Sequence, residues 1–268
     1  MTRSVRTSSK TQPPQEFQCE KILVISPHSD DAAYSIGGLL QKSTLKSRVH
    51  LVTLFGRSNF TRRSGGARDW RAVTKIRKRE DQAFASRIGA DFTHLDWPEA
   101  AIRIGRTSGA IFVNGNSSVR LIGVPATLRS KMKRVFDRLQ PRCVFAPLGI
   151  GGHRDHLIAR QLASAEARKR KLPLFFYEDL PYAAELSSQR LRAQALAIDP
   201  ELRPWRVPIQ LAGKLNNLTL YRSQVSAAEL GIVAEYAGRW RNDASEQVWS
   251  NSPDELFRIL QLGRVRQR

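Results

Sequence analysis

Cysteine is nearly absent. Cys19 and Cys143 are the two in 268 residues, too few for a disulfide framework, so a hydrophobic core has to hold this chain. Cys143 sits inside an apolar run and reads as a small core residue, while Cys19 precedes the first predicted strand. Long apolar runs are missing as well. No stretch approaches the ~20 residues a helix needs to cross a bilayer, and residues 1–17 are polar, basic and proline-bearing, without the apolar middle of a secretory leader. These absences lead us to expect a cytoplasmic protein with a disordered basic arm over residues 1–18 and a single domain over 19–268. A G-x-G-x-x-G turn is lacking too. Gly149, Gly151 and Gly152 have the wrong spacing, which argues against a dinucleotide-binding protein.

Acids are scarce: 24 Asp and Glu face 44 Lys and Arg, a net charge of +20. The cations gather in residues 62–79, 131–134 and 168–171 and at Arg264, Arg266 and Arg268, with no run dominant. Aromatics do not interleave with them, so nucleic acid is not the indicated partner. The plain reading is a generally basic surface. The sharper one is that these charges steer an anionic, phosphorylated or nucleotide-linked ligand toward a pocket.

What the chain does have is two matching segments. Residues 22–25 (Ile-Leu-Val-Ile) form a short buried-strand pattern closed by Pro27, and His28, Ser29, Asp30 and Asp31 follow at once. Residues 143–146 form a second such run, followed by Pro147, a glycine turn, and His153-Arg154-Asp155-His156. Of five histidines, three (His28, His153, His156) fall in these clusters, each beside aspartates. In open α/β sheets ligands bind beyond the carboxyl ends of the strands. Two imidazoles with one carboxylate also form a common catalytic zinc shell that leaves a position open. More ligands are present than three places require, and spacing alone does not choose among them.

The patterns Pro27-His28-Ser29-Asp30-Asp31 and His153-Arg154-Asp155-His156 resemble those of the zinc-dependent PIG-L, or LmbE-like, N-acetylglucosaminyl deacetylases. Arg77-Lys78-Arg79-Glu80, Phe176-Tyr177-Glu178-Asp179 and Tyr221-Arg222-Ser223-Gln224 extend the likeness over roughly residues 20–245. The resemblance implies a Rossmann-like fold and hydrolysis of the acetyl amide of an N-acetylglucosamine-type sugar or conjugate. It implies His28, Asp31 and His156 as ligands of Zn2+, with Fe2+ as the alternative. Asp30 would then be the general base, and His153 the group that stabilises the oxyanion or protonates the leaving amine. Arg77 would bind substrate. Ser29 and Arg154 stand where the family usually has proline, and Ala32 where it has glutamate. Arg154 therefore adds a cation beside the pocket, and with Glu178 and Asp179 it joins the expected substrate contacts. Two alternatives remain: an amidase of the same fold cutting a larger acyl group, and a non-catalytic basic protein holding anionic sugars or nucleic acid.

The alternation of elements predicts a three-layer α/β/α sandwich on a mostly parallel sheet. Strands are expected over residues 22–25, 49–55, 91–97, 143–146 and 174–177. Helices are expected over 33–43, 72–89, 125–139, 155–169, 214–224, 226–237 and 253–262, with a hairpin or excursion over 104–122. His50 and His94 read as structural. Glu80, set within an apolar helix stripe, is expected to pair with Arg77.

Overall fold

The computed structural model describes residues 20–62, 69–105, 111–113, 123–240 and 243–261. The expected arm over 1–18, Cys19, the terminal arginines and most of the 104–122 excursion lie outside them. The sheet has seven strands: β1 Ile22–Ser26, β2 Val49–Thr53, β3 Asp91–His94, β4 Cys143–Pro147, β5 Leu174–Tyr177, β6 Arg203–Pro208 and β7 Ser245–Ser250. Their order is β3-β2-β1-β4-β5-β7-β6. The first five are parallel, and β7 and β6 close one edge antiparallel.

Every residue of β1, β2 and β4 is buried, as continuous β-branched and leucine runs require when helices cover both faces of a sheet. Each such side chain contributes about 1.5–3 kcal/mol on leaving water. The antiparallel edge was not foreseen. β6 carries Pro204 and Pro208, which fits an edge strand, where a missing N–H costs least.

Nine helices, among the described residues, complete an α/β/α sandwich: α1 Asp31–Leu40, α2 Trp70–Ile88, α3 Ala100–Arg103, α4 Ala126–Leu139, α5 Arg154–Arg170, α6 Ser188–Ile198, α7 Leu211–Leu218, α8 Ala227–Gly238 and α9 Pro253–Leu260. The expected helices are present with shifted ends, the largest shift being 214–224 against Leu211–Leu218, and α3 and α6 were missed. None is long and apolar enough to cross a membrane.

The helix α1 is buried along its whole length and broken at Ile36 (φ −131°, ψ 20°). The break leaves backbone donors to satisfy. Glu246 on β7 accepts from Gly38 N (2.8 Å) and Leu39 N (2.6 Å), and buried Lys214 balances its charge at 2.6 Å. Gly38 is needed for contact: a Cβ there would lie 2.7 Å from the Ile209 side chain.

In α2 the buried face is Val73, Arg77, Asp81, Phe84, Ala85 and Ile88, so the expected stripe was turned slightly and two charged residues face inward. The expected Arg77–Glu80 pair does not form. Glu80 accepts from Ser223 N (2.8 Å) and Oγ (2.6 Å), while the Arg77 guanidinium is engaged by Asp30, Ser58 and Glu99. His50 and His94 are structural: His50 Nε2 meets Thr93 Oγ1 at 2.7 Å, and buried His94 meets Asp96 at 2.5 Å.

The chain order reverses at β1. The strands β2 and β3 lie on one side of it, and β4 and β5 on the other. The loops leaving β1 and β4 therefore diverge over a crevice at their carboxyl ends, where α/β sheets bind ligands.

Candidate metal centre

The register Ile22↔Cys143 and Val24↔Phe145 sets the turn after β1 beside the turn after β4. Ser26 shapes the first. Its Oγ donates to His28 O (2.6 Å) and accepts from Ala32 N (3.1 Å), so the chain passes from strand to helix within a few residues. Asp30 is the N-cap residue of α1 and Asp31 its first residue. In the second turn Gly152 has φ +73°, and a Cβ there would lie 2.4 Å from Val113 O. Glycine alone fits, and the turn delivers His153 as the N-cap of α5.

Three imidazoles meet in a triangle, with ring centroids 5.0 Å (His28–His153), 5.3 Å (His28–His156) and 5.1 Å (His153–His156) apart. Asp31 Oδ2 stands 3.1 Å from His28 Nδ1 and 3.2 Å from His156 Nε2. The far nitrogen of each ring faces another carboxylate: His28 Nε2 meets Asp155 Oδ2 at 3.0 Å, and His156 Nδ1 meets Asp179 Oδ1 at 2.6 Å. Asp155 also accepts from Ala100 N and from Arg103, each at 2.7 Å.

The electrostatics of this cluster suit a cation. Burial works against charge on both rings, yet the carboxylates outweigh it. Asp31 and Asp155 push His28 up to about 9, and Asp31 and Asp179 hold His156 well above the usual imidazole range. Burial likewise opposes ionisation of Asp31, and the two histidines overcome it and hold the carboxyl well below its ordinary value. Positive charge is thus favoured at the point the three groups share, and one divalent ion can take the place of two protons.

His28, Asp31 and His156 can each offer one atom within 4.8 Å of the others. Their donor set, two ring nitrogens and a carboxylate oxygen, fits zinc. A second set, His28, His153 and Asp155, meets the same distance limit. It fits less well, since both Asp155 oxygens are held by other donors, Oδ1 by Arg103 and Oδ2 by Ala100 N, and His153 Nδ1 already accepts from Asp155 N.

Two groups face the pocket beside this point. Burial raises the Asp30 carboxyl to about 6, with Arg77 opposing the rise. Arg77 is buried, lies 3.6 Å from Asp30, and is held by Ser58 Oγ (2.6 Å) and Glu99 (3.3 Å). Burial and the neighbouring His28 and His156 push His153 down to about 2. It is therefore neutral. Its Nδ1 accepts from Asp155 N (3.2 Å), which leaves the proton on Nε2 as a donor.

The pocket measures about 420 Å³ and is lined by His28, Asp30, Asp31, Arg77 and His153, with Tyr34, Phe112 and Tyr182 as aromatic walls. Arg62 and Glu229 form an ion pair at its rim.

All five residues expected to do chemistry converge here, and so does Arg77. The other expected substrate contacts do not. Arg154 opens α5 but is not among the pocket-lining residues. Glu178 is 3% exposed and turned inward, accepting from Tyr236, Gln247, Trp249 and Arg239. Asp179, 1% exposed, is taken up by His156 and by the N–H groups of Gly149 and Ile150. Both acids end β5 on the site side, yet their carboxylates satisfy buried donors and present nothing to a ligand. Glu99, Tyr34 and Arg62 were missed, and no local pattern in the sequence marks them.

The family profile PIG-L, GlcNAc-PI de-N-acetylase, matches residues 23–167. The chain is 29% identical over 171 residues to 2'-N-acetylparomamine deacetylase of Streptomyces fradiae, a match covering 62% of this chain and 58% of that protein. Among solved structures, the A40926 pseudoaglycone deacetylase superposes with a TM-score of 0.62 at 25% identity, over 87% of this chain and 97% of that one. The zinc-inhibited form of teicoplanin deacetylase gives 0.65 at 21%, over 85% and 97%. With more than half its length matched and the motif histidines and aspartates gathered at one point, the chain belongs to the PIG-L family.

Proposed function

We propose that the protein is a metal-dependent hydrolase that removes the acetyl group from an N-acetylglucosamine-type sugar or sugar conjugate. The observation that carries this reading is the position of Asp31 Oδ2, within 3.1 and 3.2 Å of one nitrogen from each of two histidines, beside a pocket that Asp30 and His153 line. The relatives named as deacetylases of acetylated aminoglycoside and glycopeptide compounds support the substrate class. A zinc-inhibited form of teicoplanin deacetylase supports a divalent-ion site in this fold, and the two-imidazole, one-carboxylate donor set favours zinc, with ferrous iron as the alternative.

His28 Nδ1, Asp31 and His156 Nε2 would hold the ion. Bound there, it supplies Lewis acidity toward the amide carbonyl and toward water. Asp30, ionised above about pH 6, takes a proton from the attacking water, and Arg77 keeps that carboxylate in place. Neutral His153 donates a hydrogen bond from Nε2–H to the carbonyl oxygen as charge builds on it and keeps that proton, while the proton Asp30 took from water passes to the nitrogen as the C–N bond breaks. The products are acetate and a free amine. The aromatic walls suit the apolar faces of a sugar ring.

The test is acetate release from N-acetylglucosamine glycosides, followed by mass spectrometry of the amine product, with and without a chelator. Turnover abolished by chelation and restored by zinc or ferrous iron supports the reading, and turnover indifferent to chelation defeats it. The same assay with longer acyl groups separates a deacetylase from an amidase of larger acyl amides.

A further inference from the structure

A metal site built on two imidazoles requires each ring to present one chosen nitrogen, and an imidazole makes no such choice alone. For His156 the neighbouring groups make it. Asp179 Oδ1 lies 2.6 Å from Nδ1, while Oδ2 accepts from Gly149 N (2.7 Å) and Ile150 N (2.9 Å). A carboxylate only accepts. The proton of a neutral His156 is thereby drawn to Nδ1, and the lone pair on Nε2 points toward Asp31 Oδ2 at 3.2 Å.

We propose that Asp179 is a positioning residue for the metal centre. It fixes the tautomer of His156 and ties the turn that carries His153 to the end of β5. The inference rests on the metal-hydrolase reading above, and it gives Asp179 a role unlike the substrate contact that its place in the sequence suggests. The geometry around the other ligand repeats the arrangement: Asp155 Oδ2 faces His28 Nε2 at 3.0 Å, leaving Nδ1 toward Asp31. Each ligand histidine thus has its own carboxylate on the nitrogen away from the shared point, and such partners raise ligand basicity and fix ring orientation.

The substitution Asp179→Asn isolates the claim. Asparagine has one acceptor end, and the two backbone N–H groups require it. Its amide nitrogen is then left facing His156 Nδ1. A donor there places the imidazole proton on Nε2 and removes the lone pair that would bind the ion. Side-chain shape and the turn contacts stay almost unchanged.

Zinc affinity, measured by competition with a chromogenic chelator, is expected to fall about 10–100-fold in Asp179→Asn, with the metal-free protein melting close to wild type. Asp179→Glu, which keeps the acceptor, is expected to recover part of that loss. Independently of any variant, long-range 1H–15N spectra of the zinc-loaded wild-type protein are expected to place protons on His156 Nδ1 and His28 Nε2. A variant affinity within about two-fold of wild type, or a proton found on His156 Nε2, overturns the proposal. If Asp179→Asn does not fold, the spectra decide. A wild-type protein that binds no divalent ion brings down the hydrolase reading and this inference together, whereas wild-type binding unaffected by Asp179→Asn brings down the inference alone.

Discussion

The guanidinium of Arg77 lies 3.6 Å from Asp30 Oδ1, so a side chain from the middle of α2 governs the charge of the acid that caps α1. Burial favours the neutral carboxyl, Arg77 is the largest opposing influence, and the balance falls at about 6. A bound cation lowers it further. A general base works ionised, so the rate rises with pH through that value. Arg77→Met removes the opposing charge and moves the acid limb to higher pH, with kcat at pH 6 falling roughly ten-fold or more. A pH–rate profile of the variant checks this, and an unmoved limb contradicts it.

Asp30→Asn removes the base while leaving His28, Asp31 and His156 in place. The expected loss in kcat is about 10²–10⁴-fold, with metal content unchanged. Loss of the metal along with the activity would assign Asp30 to the ligand set.

Metal-free and zinc-loaded protein should respond oppositely to pH. His28 is raised to about 9 from an ordinary value of 6.5. Its stabilisation is therefore complete below 6.5 and is lost as pH rises through about 9. Zinc requires neutral imidazoles, so its binding strengthens over the same interval. The gain in melting temperature on adding zinc is expected to grow from pH 6.5 to pH 9. Calorimetry with zinc and with chelator measures it, and a constant or shrinking gain contradicts the account.

Glu178 tests the distinction between a buried brace and a substrate contact. It accepts from Tyr236, Gln247, Trp249 and Arg239 at 2.6–3.1 Å. Removing it strands several donors, so Glu178→Ala is expected to destabilise the fold by about 3–5 kcal/mol and leave KM unchanged. A raised KM in a protein of normal stability would return Glu178 to the pocket.

The legible part of this protein is the part in which chemistry and chain order coincide. The strand runs before His28 and His153 are apolar throughout because both faces are covered, and the reactive groups follow within a few residues of each strand end. Their meeting is fixed by β1 and β4 being neighbours. Glu178 and Asp179 were expected to face substrate and instead accept from buried donors, because sequence places a residue near a strand end without telling which way its side chain turns. The partner of Arg77 was misread for a similar reason. Helical spacing offered Glu80, whereas Asp30 and Glu99, distant in sequence, lie within 3.6 and 3.3 Å. The antiparallel strands β6 and β7 carry no unbroken apolar run, and Glu246 in β7 is buried only because it satisfies the broken turn of α1 and the charge of Lys214.

The most direct measurement is the metal content of the purified protein and of His156→Ala by elemental analysis. Convergence of His28, Asp31 and His156 on one divalent ion predicts about one equivalent of zinc or iron in the wild-type protein and almost none in the variant. A full equivalent retained by His156→Ala, or a wild-type protein that releases acetate with no bound metal, would contradict it.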